Sequence, residues 1–152
     1  MHAAEQAMNS EERLADVRQR IDALDTELLR LLSARAACAG EVAEIKAELG
    51  DSQFYRPGRE AEVLRRIKAR NPGPLSGEAM ARLFREIMSA CLALEVPQRV
   101  AVLGPQGTFC EQAAIEFFGS AANLIYCNSF DEVFHATAAG TSQFGVVGME
   151  NT

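Results

Sequence analysis

LLRLLSARAACAGEVAEIK, residues 28–46, carries a charge where an apolar seam should continue. Working outward in both directions, apolar side chains fall at Leu14, Val17, Ile21, Leu24, Leu28 and Leu31, and again at Cys38, Val42, Ile45 and Leu49. The steps alternate between three and four, the spacing of one face of a helix that pairs along its length. The position skipped by the pattern is 35, and Arg35 fills it. No proline interrupts residues 10–49, and Ser10 followed by Glu11 and Glu12 suits a helix start. Roughly forty residues at 1.5 Å each make about 60 Å of helix. Short neighbours cannot cover a seam of that length, so a second copy of the chain is the expected partner.

The totals bound the rest. A chain of 152 residues with 48% hydrophobic content can bury an ordinary core. Net charge is −6, and the basic residues are interspersed with acidic ones, so neither a nucleic-acid nor a membrane partner is expected. Cys38, Cys91, Cys110 and Cys127 form no C-x-x-C pair, which argues against a structural zinc site and for a reducing cytoplasm. The opening MHAAEQAMN has no long apolar run, so residues 1–9 read as a disordered start without a signal peptide or membrane span.

Beyond the seam, LGDSQFYRPGRE breaks the helix, with Gly50 and Asp51 as stop signals and Pro57 suited to the first turn of the next. PGREAEVLRRIKAR reads as a second helix, ended by NPGPLSG at residues 71–77. Ser76 can cap a third, whose apolar positions run Met80, Leu83, Phe84, Ile87, Met88, Cys91 and Leu94. After EVPQR the period changes: VAVLG, NLIYC and FGVVGM read as strands, with CEQAAIEFFG and SFDEVFHATAAG as helices between them. That alternation predicts a parallel sheet with crossover helices. The expected fold is therefore mainly α: a three-helix domain over residues 10–97, then a βαβαβ segment over 98–152 that reads as a truncated second domain.

Three cations lie near the seam. Arg35 and Lys46 are eleven residues apart, three turns plus about 20°, so they share a helix face. With backbones about 16 Å apart, their long side chains could grip one small dianion between them. Arg18 lies 28 residues from Lys46, or about 42 Å along the helix, and can serve that site only from another chain. Spacing alone leaves a second reading open, in which Arg35 sets the register of a coiled-coil seam beside an acidic neighbour such as Glu41.

RLADVRQRIDALDTELLRLLSARAACAGEVAEIK, FYRPGREAEVLRRI and RLFREIMSACLALE, in that order, resemble the all-helical chorismate mutase domain. The resemblance covers about residues 10–96. It implies an intertwined helical homodimer that converts chorismate to prephenate without a cofactor, each active site taking one arginine from the opposite subunit. By position, Arg18 would be that cross-subunit arginine, Arg35 would hold the other substrate carboxylate, and Lys46 would donate to the ether oxygen. Arg59 and Glu60 match the pair at the start of the second helix, where the glutamate holds the substrate hydroxyl. Such a pericyclic shift needs no nucleophile, metal or general base. It needs the compact conformer held and the charge on the ether oxygen stabilised.

Two positions depart from the best-known pattern: Cys91 replaces a serine, and Glu95 replaces a glutamine that donates to the ether oxygen. An ionised carboxylate has no proton to give, so Glu95 is expected to help only when protonated, with activity higher in mild acid. Arg56 stands near where the pattern has an aspartate, in a loop one residue longer, so the resemblance assigns no role to Tyr55 or Arg56.

RVAVLGPQGTF, SFDEVF and FGVVGMENT, across about residues 99–152, resemble the beginning of prephenate dehydratase. By that resemblance Asn151 and Thr152 would face a dehydratase substrate, and Thr108 lies in the glycine turn; the proline of the family's strand end is missing at Gly148. The family's later Thr-Arg-Phe segment and regulatory domain are absent from these 152 residues, so neither dehydratase activity nor phenylalanine feedback is expected. The competing reading is a non-catalytic helical dimerisation module with a small ligand-binding domain. It should tolerate Arg35→Leu, which the enzyme should not.

Overall fold

The structure, a computed structural model, describes residues 2–50 and 56–149. Asp51, Tyr55, Asn151 and Thr152 lie outside the described residues. The elements are α1 (His2–Glu48), α2 (Pro57–Arg70), α3 (Gly77–Glu95), β1 (Arg99–Leu103), α4 (Phe109–Phe118), β2 (Asn123–Cys127), α5 (Phe130–Ala138) and β3 (Phe144–Val146). The chain divides into two compact units, Met1–Cys38 and Ala39–Thr152.

The first unit is the leading part of α1. This helix begins at His2, where the sequence suggests a start at Ser10 after a disordered stretch. Ala3, Ala4, Glu5, Gln6, Ala7 and Met8 are all strong helix formers, so the helical signal continues upstream of Ser10. The seam residues Leu14, Val17, Ile21, Leu24, Leu28 and Leu31 are 44–64% exposed. Among the described residues, that apolar stripe is open to solvent along its length.

In the second unit, α2 and α3 form an antiparallel hairpin. Pro57 occupies the first turn of α2, where its missing N–H costs nothing. Ser76 caps α3 by accepting from the Ala79 N–H at 3.1 Å. The NPGPLS turn is ordered by Asn71, whose Nδ2 donates to the Leu75 carbonyl and whose Oδ1 accepts from the Gly73 N–H. Leu64 and Ala81 are buried in the hairpin, and Lys68 Nζ reaches Glu78 Oε1 at 2.7 Å beside the turn.

Only Val96, Pro97 and Gln98 separate α3 from β1. The domain boundary expected near Pro97 falls on this junction, and residues on both sides of it belong to one compact unit. The strands are parallel in the order β2-β1-β3, with Ala101 opposite Ile125 on one side and Gly145 on the other. Val100 and Val102 pack with Ala114 and Phe118 of α4; Ala101 packs with Cys127 and with Val133 of α5. Alternate residues of the central strand thus feed two apolar layers, the consequence of a period of two.

α3 also touches the turn after α4. Gly119 has φ +83°, and a Cβ there would sit 2.4 Å from Cβ of the buried Ser89. Next to it, Glu86 Oε2 accepts from the Ser120 N–H at 3.2 Å and from the Ser120 hydroxyl. No described helix is long and apolar enough to cross a membrane.

Candidate active site

α1 carries three of the candidate cations. Arg18 is exposed, whereas Arg35 and Lys46 are half-buried. Their apolar neighbours show the opposite: Leu28 is 55% exposed, Val42 47% and Ile45 55%. At Arg35 and Lys46 the cation is sheltered while the seam around it is open, the reverse of what burial energetics dictates for an isolated chain.

Arg59 and Glu60 are adjacent in sequence but point apart, since successive residues on a helix are about 100° separated. Arg59 turns to solvent and donates to Glu62 Oε2 at 3.2 Å. Arg66 bonds the other oxygen of Glu62 at 2.7 Å, and the two guanidiniums, Arg59 first, hold the Glu62 carboxyl below the usual carboxylate range. Glu60 turns inward, its side chain 17% exposed, and its Oε1 lies 3.6 Å from Nε of Arg85 on α3. Sequence reasoning missed Arg85. The signal was available in the hairpin: if residue 68 faces 78, then residue 60 faces the neighbourhood of 85.

On α3, Cys91 is buried and Glu95 half-buried. They are four residues apart and so share a face, in the last turns of the helix. All four cysteines are free thiols, with Cys38 exposed. Burial, and then the nearby Glu132 charge, push the Cys127 thiol up from its ordinary value.

In the α/β segment, Thr108 is the N-cap of α4. Its hydroxyl donates to the Leu103 carbonyl at 3.1 Å and accepts from the Glu111 N–H at 3.4 Å. Glu111 reaches back to the Gly107 N–H with one oxygen and accepts from the Tyr126 hydroxyl with the other at 2.8 Å. This reciprocal capping commits Thr108, and one of the loop N–H groups that an anion could have used, to holding the turn. The Gly107 bond first, and the Tyr126 bond second, hold the Glu111 carboxyl below its usual range.

A family model described as chorismate mutase type II matches residues 17–96, a span containing Arg18, Arg35, Lys46, Arg59, Glu60, Cys91 and Glu95. A prephenate dehydratase model matches residues 100–152. The chain is 52% identical over 149 residues to a bifunctional chorismate mutase/prephenate dehydratase of Pseudomonas aeruginosa, covering 95% of this chain and 41% of that protein. Its counterpart from Aquifex aeolicus is 41% identical over 145 residues, covering 93% of this chain and 40% of the relative. The chain thus spans about two fifths of the length of these relatives. Among solved structures, a form II chorismate mutase from Thermus thermophilus superposes with a TM-score of 0.53 at 41% identity, covering 55% of this chain and 93% of that one. The chain belongs to the type II chorismate mutase family, and its mutase segment is followed by a segment that matches prephenate dehydratase.

Proposed function

We propose that this chain catalyses the rearrangement of chorismate to prephenate, as a homodimer whose two sites each combine Arg35, Lys46, Glu60 and Glu95 of one copy with Arg18 of the other. The observation that carries this reading is the inverted burial along α1, where Arg35 and Lys46 are half-buried while the leucines around them are exposed. A second α1 laid on that seam removes the leucines from water, which is favourable by about 25 cal/mol per Å² of apolar surface buried. It also brings an Arg18 from the far end of the partner helix, which one copy cannot supply.

The chemistry asks little else of the protein. Arg18 and Arg35 hold the two carboxylates so that the reacting carbons meet, replacing a search through extended conformers with a prepared geometry. Lys46 meets the negative charge that develops on the ether oxygen as the carbon–oxygen bond breaks. Glu60 accepts from the ring hydroxyl and fixes the face of the ring. Glu95 donates to the ether oxygen in its protonated form, and Cys91, one turn earlier on the same face, lines the pocket beside it.

Loss of chorismate and gain of prephenate by the purified chain tests the proposal. Arg35→Leu should lower kcat/KM by about 10²–10³, the usual cost of deleting one preorganised electrostatic partner, while the dimer persists in sedimentation. A dimer that never turns over chorismate, and that Arg35→Leu stabilises, would establish the non-catalytic pairing module instead.

A further inference from the structure

α2 and α3 are bridged by ion pairs at two heights, and the two differ in kind. Beside the turn, Lys68 and Glu78 meet at 2.7 Å with side chains 41% and 71% exposed. That is a solvated staple in direct contact. Farther along the hairpin, Arg85 Nε and Glu60 Oε1 stand at 3.6 Å with side chains only 29% and 17% exposed. The spacing is within ion-pair range but too long for a hydrogen bond, and the Arg85 Nε atom is shielded from solvent without a hydrogen-bond partner. Leaving a guanidinium N–H dry and unbonded is costly. A purely structural staple would close to contact, as Lys68 does.

The far side of the same α3 turn is held in place. The Arg85 carbonyl is 3.7 Å from where a Gly119 Cβ would stand, the buried Ser89 lies against Gly119, and Glu86 bonds Ser120. Arg85 therefore extends from a fixed rung toward Glu60. A cation so placed favours the ionised carboxylate and aims it, and a carboxylate has lone pairs enough to serve a ligand hydroxyl as well. We propose that Arg85 is a positioning residue of the mutase site: it touches no substrate, and it holds Glu60 charged and oriented to accept the ring hydroxyl of chorismate. This rests on the mutase reading given above.

The experiment is a double-mutant cycle in the full chain, reading kcat and KM for chorismate in the unaltered protein, Arg85→Gln, Glu60→Gln and the double variant, with Arg85→Lys as the charge-retaining control. Arg85→Gln should lower kcat/KM by about tenfold alone, but by less than about threefold in the Glu60→Gln background, because the two act as a unit. Arg85→Lys should recover most of the loss, since a cation remains beside Glu60. Equal losses in both backgrounds would overturn the inference, as would a loss in Arg85→Lys as large as in Arg85→Gln. Should Arg85→Gln not fold, Arg85→Met takes its place in the same cycle: losses of equal size with and without Glu60→Gln overturn the inference, and a loss confined to the chain that keeps Glu60 supports it. No turnover by the unaltered, folded chain would overturn the mutase reading and this inference together, whereas turnover with additive losses sinks the inference only.

Discussion

Single side chains set the pH behaviour. Glu95 can donate to an ether oxygen only while it carries its proton, so turnover should be faster in mild acid than at neutrality. Glu95→Gln supplies a permanent N–H donor, and the rate–pH profile of that variant should flatten toward neutral; a profile unchanged by the substitution would remove Glu95 from the mechanism. Glu111 makes a different prediction. Its carboxyl is held below the usual range by Gly107 and Tyr126, so the folded state binds its proton less readily than the unfolded chain does. The stabilisation is present above the unfolded pKa and disappears as pH falls through the lower, folded one. Thermal melts should show Glu111→Gln less stable than the unaltered chain near neutrality, the gap closing in acid. These residues are legible in sequence to different degrees. Glu95 is picked out by the mutase resemblance, as the residue standing where that pattern has a glutamine, whereas Thr108 stands as a ligand candidate because a glycine turn ahead of a helix looks the same whether it grips an anion or caps itself.

At the level of elements, the regular pieces are readable because each carries a local signal. Pro57 and Ser76 mark helix starts, Gly50 and the NPGPLS run mark stops, and NLIYC, at residues 123–127, is β2 to the residue. The contacts between elements carry no such signal. Arg85 against Glu60 depends on the register of two helices, and Gly119 against Ser89 on the angle at which α3 meets a turn far along the chain. That second contact is testable by itself. Gly119→Ala places a methyl 2.4 Å from the Ser89 Cβ and asks an L-residue to hold φ +83°. Overpacking and the left-handed backbone together should cost about 2 kcal/mol, lowering Tm by about 4–8 °C. A melt within about a degree of the unaltered chain would mean that α3 and the turn are not in contact.

For the molecule as a whole, the proposal that Arg18 acts across the dimer predicts a result that neither variant alone can give. Arg18→Ala and Arg35→Ala should each be inactive. Mixed in equal amounts, unfolded and refolded together, they should recover about a quarter of wild-type turnover, because half the dimers are mixed and each mixed dimer has one intact site out of two. Recovery of nothing would place Arg18 and Arg35 in the same site of the same chain. The stripe from Leu14 to Leu31 on which this assembly is argued is legible in sequence alone, since its length exceeds any shorter element that could cover it, and it is exposed in the folded chain.

The three-residue junction between α3 and β1 has a consequence for recombination. Two family segments meet near Pro97, yet they are sewn together across it, by Glu86 to Ser120 and by Ser89 to Gly119. A foreign α/β partner grafted after Pro97 would have to bring its own small, left-handed residue and its own hydroxyl to the same two turns of α3. The helix that ends in Glu95 is thus shaped by sequence lying outside the mutase segment, and the two halves are free to change only in step.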